Sequence, residues 1–144
     1  MRKFRKYVLA AAAMALVASG AALAHDGAKE CSLETLRGHY VFSVTGFNIV
    51  AGIAQPKAIL EFIDLNGDGS LTVPAATHSV NGVFGVSPPD GTGLYTLDAT
   101  CTGTLAFDGG PSFYIFADPH SDDYYMIQSN PNTVMQGTVV RLSR

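Results

Sequence analysis

The chain has 144 residues, with nine Lys and Arg against twelve Asp and Glu, a formal charge of −3 and no tryptophan. That balance provides no basic footprint for a phosphate backbone, which argues against nucleic acid and anionic lipid surfaces as partners. The length suits one small domain.

The N-terminus reads as a secretory signal peptide. Arg2, Lys3, Arg5 and Lys6 form a positive region, residues 7–18 an apolar run, and Ala22-Leu23-Ala24 a small-x-small cleavage site. The apolar run is broken by Ser19-Gly20 and has no stop-transfer flank, so no membrane span is expected after cleavage. The expected organisation is a signal peptide over 1–24 and a single domain over 25–144, secreted or periplasmic. The mature part keeps five Lys and Arg against all twelve acids, a net −7. Cys31 and Cys101 are the only cysteines. In an oxidising compartment such a pair reads as a disulfide. Closing a loop of about 70 residues is worth roughly 4 kcal/mol in the chain-entropy model.

Along the mature chain, residues 31–37 suit one helical turn, with Ser32 as cap and Glu34 at the favourable end of the dipole. Beyond it, short β-rich runs alternate with turn residues. The runs are 38–47, 57–64, 70–77, 78–86, 92–99, 102–107, 112–118, 123–129 and 133–142. Pro74 and Gly82 mark a bend if 70–86 is one long strand. Asn66-Gly67-Asp68-Gly69, Pro88-Pro89-Asp90-Gly91, Asp108-Gly109-Gly110, Asp118-Pro119-His120 and Asn130-Pro131-Asn132 are turns. Many strands at near-even spacing predict an all-β fold: one antiparallel meander that closes into a barrel of about eight strands, which removes its edges.

Two strands are apolar on both faces. In 112–118, Phe113 and Ile115 oppose Tyr114 and Phe116; in 123–129, Tyr124 and Met126 oppose Tyr125 and Ile127. A wet barrel wall alternates more cleanly. Either another subunit covers the outer side, giving a homo-oligomer, or a loop or the N-terminal segment packs there.

Leu36-Arg37-Gly38-His39-Tyr40-Val41-Phe42, the hairpin at 62–69, the run from Gly93 to Thr104 and the ending Gly137-Thr138-Val139-Val140-Arg141 carry a resemblance. Over most of the mature chain the sequence resembles a group of uncharacterised secreted bacterial proteins with a lipocalin-like (calycin, or allene-oxide-cyclase-like) barrel. Lipocalins open their first strand with G-x-W and stack that Trp on an Arg near the barrel end. Gly38-His39-Tyr40 stands in the analogous place, with Arg141 as the implied partner. The missing tryptophan departs from the lipocalin signature and leaves the ligand class open. A guanidinium against a Tyr ring is itself worth about 0.5–2 kcal/mol, a structural role.

Candidate chemistry is sparse. Asp64, Asn66 and Asp68 in Asp64-Leu65-Asn66-Gly67-Asp68-Gly69 resemble the start of a calcium loop, but Ala75 stands where a bidentate Glu is needed and the flanks read as strands. A plain hairpin tip is the competing reading. His25, His39, His78 and His120 form no metal-ligand spacing, although His25 at a processed N-terminus could chelate copper and His120 lies among Asp118, Asp122 and Asp123. There is no G-x-S-x-G elbow, phosphate-binding glycine loop or other cofactor signature, so no cofactor is expected. Aromatic residues occupy nearly every strand. A barrel of about eight strands either fills with side chains or holds one small ligand. Tyr40, Phe42, Glu61, Tyr95, Phe113 and Tyr124 are the candidates for an interior ligand site.

Three functional classes follow: a carrier of a small apolar ligand, a structural or interaction protein with a filled barrel that self-associates, and a cyclase- or isomerase-like enzyme acting on an apolar substrate. The residues weigh against an enzyme and assign no catalytic group; Glu61, His39 and Tyr95 are the first to check inside the barrel.

Overall fold

The computed structural model describes residues 30–121 and 123–144. The expected signal peptide and His25 lie outside them. Among the described residues no helix is long and apolar enough to cross a membrane.

A 3-10 turn, Leu33–Leu36, leads into nine strands: β1 Gly38–Val50, β2 Ile53–Leu65, β3 Ser70–Val80, β4 Val83–Ser87, β5 Gly91–Leu97, β6 Thr102–Phe107, β7 Ser112–Ala117, β8 Asp123–Gln128 and β9 Thr133–Ser143. All pairings are antiparallel. Strand order β2-β1-β9-β8-β7-β6-β5-β3-β4, with an additional β2–β3 pairing, closes eight strands into a barrel and leaves β4 as an extra strand beyond β3. The expected meander barrel is therefore present.

The run 70–86 is two strands. Asn81 (φ 51°) and Gly82 (φ 83°) make a tight turn between β3 and β4, because Asn-Gly tolerates left-handed backbone at both central positions of a hairpin. The bend lies earlier, around Pro74. β3 pairs β5 through Val73 and pairs β4 from Ala76 onward. Pro74, which cannot donate to a ladder, sits at the changeover. β1 and β2 run longer than their sequence pattern suggests, out to Ala51-Gly52, a second tight turn with positive φ at both residues.

Period-2 alternation places Tyr40, Phe42 and Val44 of β1, Ile63 and Leu65 of β2, Phe113 and Ile115 of β7, and Tyr124 and Met126 of β8 in one buried core. The ring pairs Phe42–Phe113 and Tyr40–Tyr124 meet edge to face at 5.2 and 5.4 Å, the arrangement aromatic quadrupoles prefer. The 3-10 turn stoppers one end. Leu36 is buried in the core, Cys31 is bonded to Cys101 in the β5–β6 turn, and Arg141 Nη2 donates to the Thr35 carbonyl at 2.7 Å. Arg141 Nε also donates to the Tyr40 hydroxyl at 2.8 Å, and its guanidinium carbon lies 5.1 Å from the Tyr40 ring centroid.

Candidate functional site

Five of the six interior candidates are packed shut. Tyr40, Phe42, Tyr95, Phe113 and Tyr124 are each at most 2% exposed. The Tyr95 hydroxyl accepts from the Gly67 amide at 2.8 Å and donates to the Leu33 carbonyl at 3.2 Å, which pins the β2–β3 hairpin to the 3-10 turn. The Tyr124 hydroxyl is buried with no hydrogen-bond partner, and burial raises its pKa well above the ordinary phenol value. Three surface clefts among the described residues are lined by none of the six.

Glu61 differs from the other five. It pairs across to Phe42 on β1 and Ala76 on β3 and is partly buried. Its Oε2 is buried without a partner. Loss of hydration pushes its pKa up to about 7, against the opposing pull of Lys57. A lone carboxyl on an apolar wall is easier to keep neutral than charged.

Glu61, His39 and Tyr95 are not gathered on one face. His39 is exposed, and its Nδ1 lies 2.6 Å from Asp64 Oδ1 in a cross-strand pair. The three acidic-loop candidates are likewise directed apart. Asp64 meets His39, whereas the Asn66 amide donates to Ser70 Oγ and Asp68 Oδ1 accepts from the Ser70 amide and hydroxyl. Those last bonds hold the Asp68 carboxyl below its usual pKa and stabilise the hairpin tip as an Asx turn. His120 donates its backbone N–H to Asp118 Oδ1 at 2.8 Å. Among the described residues no three His, Cys, Asp or Glu side chains gather as a metal site.

The distinctive surface is the outer wall. The ladder registers align outward residues around the barrel as Thr102, Phe116, Tyr125, Thr138, Ser43, Leu60, Thr77 and Val86, strand by strand from β6 to β4. The next row is Thr104, Tyr114, Ile127, Gln136, Thr45, Ala58, Ser79 and Phe84. Neither row contains a charged residue. Tyr114, Phe116, Tyr125 and Ile127 are 41–59% exposed, and Val134 and Val140 beside them 62% and 44%. The Tyr114 and Phe116 rings meet edge to face at 5.2 Å. Alternation within β7 and β8 already signals this patch. Its continuation around the wall does not show in the sequence, because it depends on the register of seven ladders.

The molecule is thus a small closed antiparallel barrel with a packed core and two uncharged outer rows that bear exposed aromatic side chains. No protein-family model, curated protein or solved structure matches the chain.

Proposed function

We propose that this protein is a secreted or periplasmic barrel of the structural, interaction class, which self-associates through the outer wall of β7, β8 and β9. The observation that carries this reading is the uncharged double row, with Tyr114, Phe116, Tyr125 and Ile127 at its apolar centre. The chain is acidic overall, so copies repel one another wherever acids face each other. The two rows bring no acid to the contact, and Asp123 stands at their edge beside Val140.

At about half exposure each aromatic leaves roughly 100 Å² outside. With Ile127, Val134, Val140 and the flanking Thr and Gln, the patch approaches the roughly 800 Å² per partner of a standard interface. A neutral patch meets its own copy without a charge penalty, as a symmetric contact requires. A bilayer is a poorer occupant. β6, β7 and β8 have six residues each, about 20 Å at 3.4 Å per residue, whereas spanning strands need about 9–11 residues and enclose a polar lumen. The packed core also supports interaction over the carrier reading.

The test is native mass spectrometry and light scattering of the mature protein at about 50 µM. A dimer or larger closed assembly is expected for the native chain, and a monomer with an unchanged circular dichroism spectrum for Phe116→Glu with Tyr125→Glu. A native monomer overturns the proposal. A mass excess released on denaturation would return the small-ligand reading to first place.

A further inference from the structure

Four Lys and Arg fall among the described residues, and three of them, Arg37, Arg141 and Arg144, line one cleft of about 730 Å³ at the stoppered end of the barrel. His120 and Ser121 of the β7–β8 turn also line it, as do Thr35 and Glu34 of the 3-10 turn. We infer that this cleft binds a small anion carrying carboxylate or phosphate groups.

Charge distribution supports this first. In a chain where acids outnumber Lys and Arg, gathering three guanidinium groups costs mutual repulsion, which an anionic ligand relieves. Among the described residues Glu34 is the one side-chain acid lining the cleft, and it engages Arg37 in an exposed pair at 3.1 Å. Such an exposed pair is worth little and is easily exchanged for a better acceptor.

Preorganisation is the second support. Arg141 is held by the Tyr40 hydroxyl and the Thr35 carbonyl, so part of the ordering cost of binding is already met. Arg141 therefore contributes a fixed positive charge, and the planar guanidinium forks of Arg37 and Arg144 match carboxylate and phosphate oxygens in pairs. His120 and Ser121 add hydrogen-bonding groups to the lining. The volume suits a ligand of metabolite size. This site is separate from the outer wall and does not depend on self-association.

The experiment is calorimetric titration of the mature protein with inorganic phosphate and, separately, citrate, at low ionic strength. Saturable one-site binding of at least one anion is expected. Arg37→Ala with Arg144→Ala should weaken it tenfold or more, leaving Arg141 to maintain the fold. Preference between the two probes distinguishes a phosphate from a polycarboxylate ligand. Absence of binding by both, or equal affinity in the double variant, overturns the inference. Thermal melting of the variant within a few degrees of the native chain separates lost binding from lost folding.

Discussion

At the scale of single residues, the barrel carries one titratable group placed against its own chemistry. The carboxyl of Glu61 titrates near 7 in the folded chain and near 4.5 when solvated. Below about pH 4.5 both states hold the proton and folding bears no penalty. Between there and pH 7 the folded state keeps a proton that the unfolded state has released, so stability falls as pH rises. Above 7 the loss is constant, at most about 3 kcal/mol for a shift of this size. Glu61→Gln should flatten this slope and exceed the native chain in stability at pH 8, measured by urea unfolding from pH 5 to 8. If the native chain and the variant run parallel across that range, Glu61 is solvated or paired. Tyr95 is the opposite case, a buried polar group with its bonds made. Tyr95→Phe deprives the part-buried Gly67 amide and Leu33 carbonyl of their partner, a loss of about 1–3 kcal/mol that equilibrium unfolding resolves.

At the scale of elements, close strand crossings depend on missing side chains. A Cβ on Gly137 of β9 would run into the Ser43 carbonyl and come within 2.6 Å of Val44 Cγ1 on β1. Gly137→Ala should therefore cost about 1–3 kcal/mol through overpacking, read as a lower urea midpoint. Gly52, at the tip of the β1–β2 hairpin, has nothing within 4 Å but a φ of +78°. An Ala there is strained only by its left-handed backbone, at about 1 kcal/mol. If the two variants lose equal stability, the crossing at Gly137 is looser than its geometry. Most strands were legible because alternation and Gly, Pro, Asn and Asp turns are local signals. The Ala51-Gly52 turn was not, since Ala carries no preference for positive φ. Asn81-Gly82 was readable as a hairpin signal, but nearby Pro74 made one bent strand equally consistent with the run. The candidate site was less legible than the fold. The rings of Tyr40, Phe42, Phe113 and Tyr124 suit a ligand cavity and a filled core alike, and the choice rests on packing across the barrel. Arg37 and Arg141 meet at one cleft although about a hundred residues separate them in the chain.

At the scale of the whole molecule, the 3-10 turn and the last strand are tied together at one end of the barrel. The 3-10 turn is held there by three different means: burial of Leu36, hydrogen bonds from Tyr95 and Arg141, and the Cys31–Cys101 bond with its sequence separation of 70. Only the last constrains the unfolded chain as well, since the others vanish on unfolding. A closed loop of that length is worth roughly 4 kcal/mol through lost denatured-state entropy. Cys31→Ser with Cys101→Ser should therefore lower stability by about 2–5 kcal/mol. It should also increase the dependence of stability on urea, because the denatured chain is freed to expose more surface. These signatures separate the sources of stability. A fall in stability with unchanged urea dependence means that the bond acts by holding the turn onto the folded barrel. A loss below about 1 kcal/mol means that Leu36, Tyr95 and Arg141 keep the stopper in place without it. The self-association proposed for the outer wall gives an internal control, since β7 and β8 bear neither cysteine. The double-serine chain should assemble to the native stoichiometry in mild conditions even as its unfolding midpoint drops.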